Sequence, residues 1–520
     1  MQKNVLIAIG GTGSRVIESV VHLCAAGLGP DILHIFLIDP DQGNGNLTHT
    51  KTLIKNYTRL RKLFYEPASG NPCFRTDIVI PPDDAFLAWG IFDETTYTLA
   101  KYINHDNLKK NEPELADLAN VLFTSQELST QLNEGFRGHP SIGAVVMANP
   151  PMDEYPFKLL WDDTQSLSAN ELRVFLVGSI FGGTGAAGFP TLGSRQLIKF
   201  NDKAKIAGEK SKVLLGGALI LPYFSFSMDS GSDEPMFVTT NDFPIATKAA
   251  LQYYNDKQLG FDEFYFIGDS LSQKVGKFSV GSSTQDNFPH YIEMISGLAC
   301  FDFFRQPPPV EELPDKKYFI ACRENEKLTW DMLPVTRNSN TMQEERRKLK
   351  DRVVDFTVFA YSFLTFGKSI LSGTHRDALL ETWYGDNFKK DFKEESAQFN
   401  PRHTENNNLY KLADDFLNDF LFWICSIDNS DNVELIDRKK LLNNEVLTRN
   451  HLILKDPQHF KANIGLVVKG KPGGLDFNSF KVQGLQESVI QDKSMAAGKK
   501  FLNVFYSGAT KFNKKNLVTN

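Results

Sequence analysis

Residues 4–9 read NVLIAI, a continuously apolar, β-prone run of the kind a strand buried on both faces of a parallel sheet requires. Gly10, Gly11, Thr12 and Gly13 interrupt it. In the following SRVIESVVHLCAAG the apolar positions Val16, Val20, Val21 and Leu23 recur at helical spacing until Gly27 supplies a stop. A second run, HIFLI at 34–38, ends at Asp39, Pro40 and Asp41. Strand, glycine turn, helix and strand form a βαβ unit, which sets an α/β class with a parallel sheet flanked by helices. The pattern loosens over 47–135, with a basic helix at 51–63, a proline-rich patch at 67–82 and polar helices toward 133, and reads as an elaboration between sheet strands. Strand-like runs resume at 142–147, 172–177, 213–221 and 263–267, alternating with helices over 189–200, 242–255 and 288–304. Pro307, Pro308 and Pro309 close the last helix and mark a boundary, so the α/β domain is expected to span 1–305. From 306 to 520 the pattern is mostly helical (342–371, 409–425, 495–505) with one candidate strand at 317–322, which predicts an α-rich C-terminal domain.

Composition narrows this further. A chain of 520 residues and 58.5 kDa is too long for one small module, and 41% apolar content excludes general disorder. A net charge of −6 gives no bulk attraction to nucleic acid or anionic lipid, so neither is expected as a partner. Cys24, Cys73, Cys300, Cys322 and Cys425 are scattered, with no C-x-x-C pair, and read as free thiols in a reducing cytoplasm rather than metal ligands. The apolar stretches at the N-terminus and at 353–366, the latter broken by Asp355, are too short for a signal peptide or a membrane span. A soluble cytoplasmic protein is the expectation.

The candidate chemistry lies in two near-identical glycine turns, Gly10-Gly11-Thr12-Gly13-Ser14 and Gly182-Gly183-Thr184-Gly185. Each follows a buried strand and precedes a helix, where bare backbone N–H groups and a helix N-terminus can meet phosphate oxygens because no Cβ blocks the approach. Together they can hold one polyphosphate from two sides. On this reading, Val at Gly183 or Gly185 weakens nucleotide binding more than it disturbs the fold. A dinucleotide fingerprint fits poorly, since Val16 stands where a small residue is needed. GLVVKGK at 465–471 begins like a P-loop, but Pro472 replaces the hydroxyl residue.

IAIGGTGSRV and FLIDPDQGNGNL resemble the ATP site of ThiF-like adenylating enzymes, which would imply ATP-dependent activation of a carboxylate partner. Thr48 and His49 stand where that family has an arginine, and the zinc cysteine pairs are missing. The order of parts more closely resembles the tubulin/FtsZ superfamily, and within it the bacterial tubulin-like proteins. Gly10 to Arg15 match the first loop, Asp39 and Asp41 the acidic turn, and FGGTGAAG at 181–188 the phosphate signature. Pro222, followed by Tyr223 and Phe224, matches a turn near the ribose, and GFRGHPSIGA at 135–144, with Gly143 and Ala144, a further phosphate-side loop. The resemblance covers about residues 1–305. It implies GTP or GDP as ligand, Mg2+ beside it, and self-association or partner proteins under nucleotide control, with GTPase activity where one subunit completes another's site. It also places base recognition at the start of the central helix, with Asn287 reading an edge and Phe288 or Tyr291 stacking. Asn287 serves equally as a helix N-cap. The acidic hydrolysis motif of polymerising relatives has no counterpart in CFDFFRQPPPVEELPDKK, and a non-hydrolysing nucleotide-bound scaffold is the competing expectation.

Overall fold

Beyond its first two residues, β1 (Gln2–Ile9) buries every side chain, as a strand must when helices cover both faces of its sheet. The computed structural model describes residues 2–67, 70–81, 88–89, 97–136, 138–148, 158, 171–193, 213–227, 243–257, 260–270, 273–277, 287–306, 317–323, 326–335, 342–371, 383, 387, 404–443, 447–449, 452–455, 477–490 and 495–516. After β1 come α1 (Gly10–Ala25), β2 (Ile32–Ile38), α2 (Gly45–Phe64) and the short strands β3 (Asp77–Val79) and β4 (Ala88–Trp89). The second half of the sheet supplies α3 (Pro140–Met147), β5 (Glu171–Ser179), α4 (Gly183–Thr191), β6 (Val213–Ile220), β7 (Phe224–Ser227), α5 (Phe243–Lys257), β8 (Glu263–Asp269), β9 (Gln273–Lys277), α6 (Tyr291–Arg305) and β10 (Lys317–Arg323). The main sheet runs β10-β8-β6-β5-β1-β2-β3, with β4 also on β2, and every pairing is parallel. β7 and β9 form a separate two-stranded pair.

From β1 the chain winds outward to β2 and β3; from β5 it winds the other way. Because crossovers are right-handed, the helices following β1 and β5 leave on opposite faces, and a crevice opens between the carboxyl ends of these two neighbouring strands. The strand β6 shows how tightly both faces are filled. A Cβ on Gly216 would meet the rings of Phe175 and Phe303 at 2.7 and 2.8 Å, and one on Gly217 those of Phe189 and Phe261 at 2.7 and 2.8 Å. Rings from both sides lie directly on the backbone. On the first face, Gly297 of α6 lets that helix approach Val20 and Leu23 of α1.

Two sequence expectations change. Residues 142–147 form helix α3, not a strand. Pro140 starts it with a preset φ, and Gly143 packs so closely on Ala187 and Phe136 that a Cβ would lie 2.5 Å from each. A short apolar run carries no period that separates helix from strand. The candidate strand at 317–322 is β10, paired with β8, so the parallel sheet continues past residue 305.

The helical C-terminal part, α7 (Met342–Ser362), α8 (Thr404–Asp428) and α9 (Ala497–Asn516), covers α1 and α2 as a further layer. His22 of α1 is enclosed by the rings of Phe416, Phe420 and Trp423 at 5.2–5.6 Å, and burial lowers its pKa to about 4, which keeps it neutral. Trp423 donates its indole N–H to Ser19 Oγ at 2.9 Å. On α9, Lys499 reaches the Tyr65 carbonyl and Glu66, and Lys515 pairs with Glu487. Buried side chains of the sheet, its helices and this layer make one continuous core. Among the described residues none of the five cysteines forms a disulfide and no helix is long and apolar enough to cross a membrane.

A shared core predicts shared unfolding. Trp423→Phe, which removes the donor to Ser19, should cost ~1 kcal/mol and Trp423→Ala ~3–5 kcal/mol. Calorimetry should show the sheet and the helical layer melting together at a lowered temperature. Two transitions with only one displaced would mean that the layer folds by itself.

Candidate functional site

The two glycine turns end adjacent strands, since β1 pairs with β5 up to Ala8 opposite Val177. Gly10 has φ +73°, a left-handed conformation that glycine adopts without strain. A Cβ there would stand 3.2 Å from Thr184 Cβ and 3.4 Å from Gly185 N, so the turns are in contact. Gly13 is pressed against the carbonyl carbon of Ala8 and the oxygen of Val177, and Gly185 against the backbone of Ser179. Gly183 faces Gly138 N, and Gly135 (φ +81°) faces Asp41. Four segments that lie far apart in the chain, 10–15, 39–44, 135–143 and 182–185, thus meet at the mouth of the crevice.

Within the turns, Gly11, Thr12, Gly182, Gly183 and Thr184 remain partly open to solvent, whereas Gly10, Gly13, Ser14, Arg15 and Gly185 are buried. Neither α1 nor α4 has a side-chain N-cap or an acidic residue in its first turn. Two helix N-termini with uncapped N–H groups and the positive ends of their dipoles therefore converge on one crevice, an arrangement that favours an anion. The close contact at Gly185 corrects one expectation. A Cβ there would lie 2.7 Å from Ser179 N and 2.8 Å from Ser179 O, so Val at that position breaks the fold as well as the loop. Gly182 meets only the rotatable Ser179 hydroxyl, at 2.9 Å.

Arg15 is buried beside the first turn, its Nη2 3.5 Å from Thr12 Oγ1. Its Nη2 donates to the Tyr223 hydroxyl at 2.5 Å, its Nε lies 2.9 Å from Glu293 Oε1, and the Tyr223 hydroxyl donates to that same carboxylate at 2.6 Å. This buried chain ties α1 to the turn carrying the half-buried Pro222 and to the start of α6. Asp39 is also buried. Its Oδ1 accepts the Asp41 N–H at 3.1 Å, and loss of solvent, with Asp41 adding to it, pushes its pKa up to about 8. Asp41 Oδ1 accepts the Gly43 N–H at 3.1 Å. On α3, Gly143 is buried in the contact with α4 and Ala144 faces solvent. His139 pairs with Glu127 at 3.0 Å. Arg137, the run at 465–471 and the part of the helix expected over 189–200 that lies beyond residue 193 are outside the described residues.

At the other end of the crevice, α6 is capped by His290, whose ring accepts the Ile292 N–H while Glu293 Oε2 accepts the His290 N–H. Asn287 is therefore not the N-cap. Its N–H donates to Asn46 Oδ1 at 3.0 Å and its carbonyl accepts from Arg449 Nη2 at 3.5 Å, while its half-exposed side-chain amide makes no hydrogen bond among the described residues. Tyr291 is buried beneath the Arg323 guanidinium, 4.7 Å from the ring centroid, and is not brought to the crevice surface. Phe288 is exposed and meets Phe422 edge-on at 5.2 Å.

Sequence reasoning missed a cluster below the first turn. Glu18, His49 and Asp419 form the one group of potential metal ligands among the described residues. Arg449 Nη1 lies among them, 2.8 Å from Glu18, 2.7 Å from His49 Nε2 and 3.4 Å from Asp419, so the chain itself supplies the cation. The available signal was Glu18, an acid on the otherwise apolar helix VIESVV, which needs a partner to be buried. No protein-family model matches this chain, and no curated protein matches it either.

Asp39 yields a pH test. The folded protein keeps a proton on Asp39 that the unfolded chain releases above about pH 4, so this group makes folding less favourable as pH rises from about 4 to about 8. Asp39→Asn removes that slope, at most ~1.4 kcal/mol per pH unit. Its melting temperature relative to the parent should rise steadily between pH 5 and pH 8. A constant difference would mean that the carboxyl is not held protonated.

Proposed function

We propose that the crevice between β1 and β5 binds a guanine nucleotide, GTP or GDP, and that the protein is a tubulin/FtsZ-like nucleotide-binding protein whose bound nucleotide controls self-association or partner recruitment. One observation carries the reading: two glycine turns with uncapped helix N-termini touch each other at the switch point of a doubly wound parallel sheet. The β- and γ-phosphates fit between Gly11-Thr12 and Gly182-Gly183-Thr184, held by backbone N–H groups. Mg2+, when present, enters with the phosphates and neutralises part of their charge. Asp39, carrying its proton at neutral pH, adds no negative charge against them and can donate to an oxygen of the ligand. The Asn287 amide, which makes no hydrogen bond among the described residues, has one donor and one acceptor side and suits the adjacent carbonyl and N–H of guanine. Adenylation of the ThiF-like kind would use only the first turn and leave its contact with the second unexplained.

The test is a titration of fluorescent GTP and ATP analogues against the parent protein and Gly182→Val. An added Cβ meets only the rotatable Ser179 hydroxyl and no backbone, so GTP affinity should fall about tenfold or more (~1.4 kcal/mol) while stability changes by ~0.5 kcal/mol or less. Unchanged affinity in the folded variant would remove the second turn from the site. Turnover measured over a range of protein concentrations then separates the two outcomes of binding. A steep rise marks a site completed by a neighbouring subunit, and flat or absent turnover marks a non-hydrolysing scaffold.

A further inference from the structure

Three elements start at the crevice, and all three meet a single guanidinium at the edge of the C-terminal helical layer. α1 begins at the first glycine turn and carries Glu18 about two turns further on. α2 begins just after the acidic turn and carries His49. The segment 287–290 forms the base end of the crevice and leads into α6. Arg449 Nη1 stands 2.8 Å from Glu18 Oε1, 2.7 Å from His49 Nε2 and 3.4 Å from Asp419 Oδ1 of α8, and its Nη2 stands 3.5 Å from the Asn287 carbonyl. The guanidinium also lies over Phe422 of α8, 4.7 Å from the ring centroid, and Phe422 in turn meets Phe288. Asn46 of α2 grips the other side of Asn287 through its N–H. The Arg449 side chain is only 8% exposed.

We propose that Arg449 is a positioning residue for the base end of the nucleotide site, and that through it occupancy of the crevice is coupled to the packing of α8. The inference rests on reading the crevice as a guanine-nucleotide site and adds the route by which that site reaches the helical layer. A planar fork suits the task, because one nitrogen can bridge the carboxylates while the other holds a carbonyl, which a lysine ammonium does less well. Arg449 is the cation that answers both carboxylates. Burial works against charge on His49 while Asp419 and Glu18 raise its pKa, and its Nε2 stands 2.7 Å from Arg449 Nη1, so the imidazole is packed into the same cluster. With the Asn287 carbonyl held by Arg449 and its N–H by Asn46, the backbone that carries the amide side chain is fixed in place before any ligand arrives. A base that engages it fixes the same backbone and thereby steadies Arg449 and α8. Linkage makes the effect reciprocal.

The test compares GTP with inorganic tripolyphosphate, which can occupy the glycine turns but has no base. Arg449→Met alone leaves Glu18 buried without its main counter-charge and endangers folding, so the informative protein is Glu18→Gln/Arg449→Met, which removes the buried acid together with its counter-charge. GTP affinity should fall about tenfold while tripolyphosphate affinity stays within about twofold, and the preference for GTP over ATP should shrink. In the parent, GTP should slow amide exchange across 404–428, and tripolyphosphate should not; in the double variant neither should. An unchanged GTP-to-tripolyphosphate affinity ratio in the folded double variant would overturn the role of Arg449. Failure of the parent itself to bind GTP would instead overturn the nucleotide reading.

Discussion

The architecture depends on how near two backbone turns can come to each other. Gly10, Gly13 and Gly185 have no side chain, so the ends of β1 and β5 close to van der Waals contact with each other and with the strand carbonyls beneath. Any larger residue would hold the turns apart and tilt the two helices that leave on opposite faces. With the turns in contact, the first N–H groups of α1 and α4 are directed into one narrow space. The feature that makes the sheet cohesive at its centre is thus the same one that concentrates positive potential there.

Around that centre the protein spends charged residues on cohesion. Arg15, Tyr223 and Glu293 bind the first helix to the turn after β6 and to α6, and Arg449 with Glu18, His49 and Asp419 binds the same helix to the outer layer. The first network is buried and the second mostly so, and removing one partner from such a pair would leave an uncompensated charge. α1 is therefore held in register at its start by glycine contacts, one turn later by Arg15, and about two turns along by Glu18. An apolar helix with alternative ways of packing becomes one with a single seat.

Legibility in the sequence followed the range of the interactions. β1, α1, β2 and the glycine turns are set by local period and by residues with special backbone freedom, and their positions were readable directly. α3 was misread because residues 142–147 are apolar throughout, and what makes it helical is Pro140 together with close contact to α4. The capping of α6 by His290 was hidden for a different reason, since histidine is an uncommon cap and Asn287 is a common one. The Glu18–Arg449 pair joins residues 431 apart, and no pattern along the chain announces such a partner. β10 lay beyond a triple proline that reads as a boundary, although the sheet simply resumes after it.

The adjacent glycines of β6 have an evolutionary consequence. Phe175 and Phe303 press on Gly216 from one face, and Phe189 and Phe261 on Gly217 from the other. A mutation of either glycine to alanine overfills its face, and a mutation of any of the four rings to a smaller residue opens a void over bare backbone. Each single step is unfavourable, and only paired changes, a glycine gaining its methyl as the matching ring shrinks, preserve the density. Descendants of this sequence should therefore keep the six residues together or exchange them in correlated sets, one set for each face of the sheet.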